Sequence, residues 1–204
     1  MDQPRQRKKR DTSRKREEIL NGAIEAFREY GYETVNMDQI AKKAGASKRT
    51  LYNHFSSKEE LLQEVISRYL NSHQKIRSGI VYNEDDDLRS QIALFVDADL
   101  FLVDSPERQI LAKVLTSIFL WDIELAVQTR KAYNQEEDPL VSWLKTAAAG
   151  GRIKPVNPQK ATELFHALTQ GILTWPALFM PMMTEEFISE KKKTVVELFL
   201  REIT

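Results

Sequence analysis

Apolar residues recur at helical spacing along almost the whole chain, and no stretch alternates in the manner of a half-buried strand. Hydrophobic residues make up 42% of the 204 residues, which is enough for a substantial core. Glycines, prolines and capping residues divide the pattern into segments. The sequence therefore predicts an all-α protein of about nine helices, in which three N-terminal helices precede a larger helical domain.

Charge is unevenly distributed, although the formal net charge is zero. Residues 1–58 contain 14 Lys and Arg against 8 Asp and Glu, and residues 59–204 contain 16 against 22. Residues 1–12 are rich in Arg and Lys and have no periodic apolar residues, so they are predicted to be a flexible basic arm. A basic end of this kind suits a module that approaches a polyanion.

Two short helices joined by a glycine turn follow the first long helix. The first helix is predicted at 13–30 and ends at Gly31, because glycine adopts the left-handed conformation at low cost. Asn36 is a cap for the second helix, and the glutamine three residues later completes a pattern like a capping box. The turn Ala44-Gly45-Ala46 follows, and Ser47 caps the third helix. Residues 13–58 thus have the dimensions of a helix-turn-helix domain.

The outer face of the third helix is unusual for a solvated surface. Leu51 and Phe55 lie four residues apart and are predicted to face the core. The remaining positions carry basic, aromatic and amide side chains and no carboxylate, which suits a groove lined by phosphates and base edges. They are Lys48, Arg49, Thr50, Tyr52, Asn53 and His54.

Residues 14–70 closely resemble the TetR family of bacterial regulators, through the run AFREYGYETVNMDQIAKKAGASKRTLYNHFSSKEELL. The resemblance implies a homodimeric repressor that binds a palindromic operator in double-stranded DNA and is released by a small-molecule effector. It implies base contacts by Lys48, Arg49 and Tyr52, although Arg49 either reads guanine or only adds a phosphate contact. The other members of the predicted DNA-binding set, mostly for phosphates, are Thr34, Ser47, Thr50, Asn53, His54 and Lys58. The basic arm either enters a minor groove or only adds salt-dependent affinity.

Residues 59–204 are predicted to form the effector-binding and dimerisation domain. The stretch GGRIKPVNPQKATELFHALTQGILTWPAL resembles the corresponding region of many family members. The resemblance pairs the last two helices, 158–179 and 184–202, across a two-fold axis, and both helices carry ample apolar residues. The alternative is that these helices only complete the monomer core. The predicted interface residues are Leu164, Leu168, Ile172, Trp175, Val195 and Phe199.

The effector pocket that the resemblance implies has candidate walls on several helices, although such residues are more often plain core. Asp99 differs from the others because it lies on the apolar face of its helix, whereas Asp97 lies on the opposite face. A buried carboxylate must find a partner or shift its pKa. We expect Asp99 to meet a cationic ligand or an internal Arg or Lys, with the internal pair favoured. The candidate pocket residues are Phe95, Asp99, Leu102, Phe119, Trp121, Trp143 and Phe165.

Other classes of protein are less compatible with the sequence. It has no cysteine, three scattered histidines and no glycine-rich phosphate loop or nucleophile motif, so no enzyme, metal site or cofactor is predicted. Without a membrane-length apolar run or a secretory signal, the expected location is the cytoplasm. A ligand-independent architectural DNA-binding protein and an activator both remain alternatives.

Overall fold

The structure, a computed structural model, describes residues 4–133, 137–180 and 184–204. All regular secondary structure in these residues is helical, which confirms the all-α prediction. Over the same ranges, no helix combines the length and apolarity needed to cross a membrane. The helices are α1 (Pro4–Tyr30), α2 (Met37–Lys43), α3 (Lys48–His54), α4 (Lys58–Ser78), α5 (Leu88–Leu100), α6 (Pro106–Trp121), α7 (Ile123–Tyr133), α8 (Pro139–Ala149), α9 (Pro158–Thr169), a π segment (Gln170–Thr174), α10 (Trp175–Phe179) and α11 (Glu185–Ile203).

The chain divides into two compact units. The first contains the residues up to Tyr69 together with Val114–Asp122, and the second contains Leu70–Lys113 and Ile123–Thr204. The sequence had predicted the boundary after Lys58. The first unit extends further because the early turns of α4 belong to it and bury their apolar side chains. These side chains are Leu61, Leu62, Val65 and Ile66.

Short-range hydrogen bonds set the starts of the two short helices. Asn36 Oδ1 accepts from the Gln39 amide at 3.0 Å, and Gln39 Oε1 accepts from the Asn36 amide at 2.9 Å, which is a complete capping box for α2. Ser47 Oγ accepts from the Thr50 amide at 3.0 Å and caps α3. Gly45, with a φ of 54°, makes the turn between them. The predicted helix starts are confirmed.

A close contact joins α1 to the end of α2. A Cβ atom placed on Gly22 would lie 2.5–2.7 Å from the backbone N, Cα and Cβ atoms of Ala44, so only glycine fits here. Nearby, the Lys15 ammonium donates to the Gly45 carbonyl at 2.9 Å. The turn that precedes α3 is therefore held directly against α1.

The N-terminal segment differs from its prediction. α1 begins at Pro4, so residues 4–12 are helical where a flexible arm was predicted, and residues 1–3 lie outside the described residues. The segment is rich in Arg and Lys, which favour helices. Because it has no apolar face, hydrophobic periodicity gave no sign of this extension of α1.

An aromatic cluster forms the core of the second unit, between α5, α8, α9 and α11. Phe95 meets Trp143 and Phe165 edge-on, each at 6.3 Å between ring centroids. Phe165 in turn meets Phe199 at 5.1 Å. Such edge-to-face contacts stabilise the core beyond the burial of large apolar surfaces.

The predicted single helix over 158–179 is three consecutive elements. The Trp175 amide donates to the Gln170 carbonyl five residues earlier, as in a π-helix. Pro176 has no amide hydrogen to donate to the carbonyl four residues earlier, and this accounts for the interruption of the α-helical hydrogen bonds here. The sequence also missed α7, which Asp122 separates from α6.

Candidate nucleic-acid interface and regulatory core

α3 turns one side toward the core of the first unit and the other toward solvent. Leu51 and Phe55 are buried, as their spacing predicted, and the Tyr52 side chain is 46% exposed. The outward positions therefore combine cationic, aromatic and amide groups, with no carboxylate from α3 itself. The exposed residues are Lys48, Arg49, Tyr52 and Asn53, and the half-buried ones are Thr50 and His54.

Arg16 of α1 fixes the end of α3. Its guanidinium lies 4.3 Å from the centre of the Phe55 ring, and its Nη1 donates to the His54 carbonyl at 3.3 Å. Its Nη2 lies 3.2 Å from Glu64 of α4. The sequence reading missed Arg16, because a basic residue on a basic helix gives no signal of such contacts.

Two residues predicted to contact phosphates are already hydrogen-bonded within the protein. The Thr34 hydroxyl donates to the Tyr30 carbonyl. The Lys58 ammonium donates to the carbonyls of Tyr32, at 2.6 Å, and Glu33, at 3.3 Å. Thr34 links residues within the turn before α2, and Lys58 ties that turn to the start of α4. Their phosphate contacts stay a prediction. The single hydroxyl hydrogen of Thr34 would have to leave its carbonyl to donate to DNA, whereas the Lys58 ammonium keeps a third N–H.

Lys48 pairs with an acidic residue of α2. Its Nζ lies 2.9 Å from Asp38 Oδ1 and 3.0 Å from Oδ2, and both side chains are exposed. The hydrogen bond to Asp38 and the charge of that carboxylate raise the pKa of Lys48. These two residues line one cleft together with Tyr52. A carboxylate therefore lies beside the otherwise acid-free face of α3.

The seven candidate pocket residues are divided between the two compact units. Phe95, Trp143 and Phe165 are buried in the aromatic core of the second unit, where Leu102 is half-buried. Phe119 and Trp121 belong to the first compact unit, and the Trp121 side chain is 87% exposed. Phe119, two positions before Trp121 on α6, is half-buried, so residue type alone does not predict which aromatic side chain is exposed.

Asp99 meets an internal arginine, as the position of its carboxylate on an apolar helix face predicted. Arg77 of α4 donates to Asp99 Oδ1 at 2.5 Å, and the two residues are 2% and 6% exposed. His73 Nε2 lies 3.1 Å from the same oxygen, and the Thr169 hydroxyl donates to Oδ2 at 2.8 Å. The cationic ligand that had been the alternative partner is not needed to compensate this charge.

The same arginine reaches a second carboxylate. Arg77 Nη2 donates to both oxygens of Asp138, at 2.8 and 3.1 Å, and His166 Nε2 lies 2.8 Å from Asp138 Oδ2. His166 Nδ1 lies 3.7 Å from Asp99. One buried polar cluster thus joins α4, α5, the cap of α8, and α9. Its members are His73, Arg77, Asp99, Asp138, His166 and Thr169.

The pKa values of the groups in this buried polar cluster are shifted toward their charged forms. Burial alone would lower the pKa of His166, but hydrogen bonding to Asp138 and Asp99 raises it to about 9. Burial would raise the pKa of Asp138, but the His166 hydrogen bond and the Arg77 charge lower it to about 2. Burial likewise opposes the Asp99 charge, yet hydrogen bonds from both histidines and the Arg77 charge hold its pKa well below the usual range. Two carboxylates and two cations therefore balance one another.

Comparison with known sequences decides the family. The profile described as "Bacterial regulatory proteins, tetR family" matches residues 19–65, which run from within α1 through α2 and α3 to the early turns of α4. A second profile, "AefR-like transcriptional repressor, C-terminal domain", matches residues 91–202. The second match alone spans more than half of the chain. This chain belongs to the TetR family.

Individual relatives agree with this assignment. A TetR-family regulator from Pseudomonas syringae pv. tomato shares its fold with a TM-score of 0.73 and 30% identity, over 92% of this chain and 96% of that one. The regulator YvdT of Bacillus subtilis is 26% identical over 95% of this chain and 93% of its own length. The transcriptional activator FasR of Mycolicibacterium smegmatis is 38% identical over 86 residues, which are 41% of this chain and 39% of FasR.

This TetR-family protein is a transcriptional regulator with an N-terminal helix-turn-helix DNA-binding domain and a ligand-binding C-terminal domain. Within its second unit, the residues predicted to form a dimer interface fall into two groups. Val195 and Phe199 are fully buried in the monomer core, so their predicted interface role is wrong. α11 packs against α5 and α9 through this face, which leaves Leu198 on its exposed side.

The remaining predicted interface residues of this TetR-family regulator follow one face of α9 and its continuation. Leu164 and Trp175 are exposed, and Leu168 and Ile172 are half-buried. Phe179, which the prediction omitted, is 73% exposed and meets the Trp175 ring at 5.4 Å between centroids. Its spacing from Trp175 was the available signal, since residues four apart share a helix face.

Proposed function

We propose that this TetR-family regulator is a cytoplasmic repressor that binds a palindromic operator as a homodimer and leaves it when a small-molecule effector binds. The observation that carries the proposal is the outward face of α3. It presents basic, aromatic and amide side chains on a short helix that α1 and the Ser47 cap hold in place. A fixed face of this kind suits the base edges of a major groove.

Within this interface, Lys48, Arg49 and Tyr52 contact base edges, because their side chains are exposed on one side of α3. Thr50, Asn53 and His54 lie beside them and contact phosphates. Ser47, Thr34 and Lys58 act through position, since their polar atoms bind the backbone or another side chain of the protein. Thr34, Ser47 and Lys58 thus support the interface from within the protein.

The apolar face of α9, the π segment and α10 is the proposed dimer surface. Its large side chains at 164, 168, 172, 175 and 179 share one side of the helical segment. A contiguous exposed apolar surface is costly to leave in water and marks an interaction site. A two-fold pair also supplies the second helix-turn-helix that a palindrome requires.

Replacing Trp175 with serine should weaken this dimer about a thousandfold, because truncation of an anchoring aromatic residue commonly costs about 2 kcal/mol and a two-fold dimer loses the residue from both protomers. Sedimentation velocity over a range of protein concentrations measures the change. Trp121→Ser is the matched control, since it removes an even more exposed tryptophan from the other compact unit. If Trp121→Ser dissociates the dimer and Trp175→Ser does not, the interface lies elsewhere.

The response to an effector is proposed to act through α4. This helix is continuous from Lys58 to Ser78. It holds the turn before α2 through Lys58 at one end and enters the buried polar cluster through Arg77 at the other. An effector that prefers one position of α4 shifts the population by as much as its affinities for the two states differ. The C-terminal match to a repressor domain favours repression over activation.

Selection from a library of random duplexes, using the purified protein, tests the proposed function. We expect a palindrome, and at least about 30-fold weaker operator binding for Arg49→Gln or Tyr52→Ala, because each lost base contact costs about 1–3 kcal/mol and the palindrome loses it in both half-sites. Lys193→Gln is the control, since it removes one exposed positive charge from α11. Salt-sensitive binding without an enriched sequence would favour an architectural protein. Effectors can then be screened by operator release.

A further inference from the structure

Asp38 is an acidic residue on a surface that must approach a polyanion. It lies in the first turn of α2, and its two carboxylate oxygens lie 2.9 and 3.0 Å from the Lys48 ammonium. Tyr52 lines the same cleft, so the pair stands among the side chains assigned to base contacts. Because both side chains are exposed, an ion pair of this kind adds little to folding stability.

The pair changes what Lys48 offers to DNA. A carboxylate within hydrogen-bonding distance cancels most of the field that an ammonium presents to a phosphate several ångströms away. The pair also restricts the rotamers of the long lysine side chain. An ammonium has three N–H donors, so at least one remains available for a base-edge acceptor such as guanine O6 or N7.

We infer that Asp38 is a specificity-determining residue of the DNA interface, one that suppresses binding to non-operator DNA by neutralising Lys48. The inference rests on the proposed function. Non-specific binding comes almost entirely from phosphate contacts, so it loses the contribution of Lys48. Operator binding also draws on base contacts, and a lysine that Asp38 holds in place can still make one.

Asp38→Asn tests this inference in the full-length protein. The substitution leaves the α2 cap intact, because Asn36 binds the backbone amide of residue 38. Fluorescence anisotropy would measure the affinity for the selected operator and for a scrambled duplex of the same length, over a series of salt concentrations. One regained phosphate contact in each half of the dimer steepens the dependence of log K on log salt by about 1.8, which is about thirtyfold in affinity at about 0.15 M salt.

The expected result is about thirtyfold tighter binding to the scrambled duplex with little change at the operator, so that the specificity ratio falls about thirtyfold. Glu25→Gln is the matched control, because it removes one exposed negative charge from α1 without touching Lys48. In a Lys48→Gln background, Asp38→Asn should do no more than Glu25→Gln does. That double-mutant cycle isolates the pair from the change in net charge.

Three results would overturn the inference while the proposed function stands. The first is an equal gain for operator and scrambled duplexes in Asp38→Asn, and the second is no gain for either. The third is a loss of operator affinity alone, which would mean that Asp38 accepts directly from a cytosine amino group. A wild-type protein that binds both duplexes equally would refute the proposed function and, with it, any specificity role for Asp38.

Discussion

We expect Arg77→Met to lower the free energy of unfolding by about 3 kcal/mol, since removing one partner of a buried ion pair leaves the other charge uncompensated. Asp99 would keep its bonds to Thr169 and His73 but lose the guanidinium 2.5 Å away. Asp138 would lose the guanidinium nitrogen that donates to both of its carboxylate oxygens. Urea unfolding followed by circular dichroism measures the loss, at one protein concentration for all variants because association affects stability.

Two further variants separate this effect from a general effect of arginine removal. Arg89→Met breaks the exposed contact with Glu197, and we expect it to cost under about 1 kcal/mol. Arg77→Lys keeps a positive charge but cannot hold both carboxylates in the planar geometry of a guanidinium, so it should fall between the other two. If Arg77→Met and Arg89→Met are equally stable, the buried polar cluster does not stabilise the second unit.

Gly22→Ala should destabilise the protein by about 1–3 kcal/mol, which is the usual range for overpacking a close contact. The new Cβ would lie 2.5–2.7 Å from Ala44, and two of the three contacted atoms are backbone atoms, so the turn itself must move. Operator affinity should fall as well, because this turn leads directly into α3. Helix propensity alone predicts the opposite sign, with alanine about 1 kcal/mol better than glycine in a helix interior.

The control for this substitution is the neighbouring residue on α1. Asn21 is exposed, so Asn21→Ala should be neutral or slightly stabilising. Adding Ala44→Gly to Gly22→Ala should restore little stability, because the contacts with the backbone N and Cα of residue 44 remain. Denaturant unfolding and operator titration together measure both effects. A Gly22→Ala protein more stable than wild type would show that α1 and α2 are not in close contact.

The sequence by itself determined the helix-turn-helix domain. Its signals are local: the Asn36 capping box, the Ser47 cap and glycine at the turn all act within a few residues. The spacing of Leu51 and Phe55 also identified the buried side of α3, because residues four apart lie on the same face of an α-helix. The placement of Asp99 on an apolar face predicted an internal partner, although it did not identify Arg77.

Only the tertiary structure decided which apolar residues are core and which are surface. Val195, Phe199 and Leu198 are alike in a hydrophobicity pattern, but two are buried and one is exposed. The tertiary structure also decided that Lys58 binds carbonyls of the turn before α2, and that Arg77 joins two carboxylates from distant parts of the chain. Periodicity shows that a helix has an apolar side, but which groups meet that side depends on contacts between residues far apart in sequence.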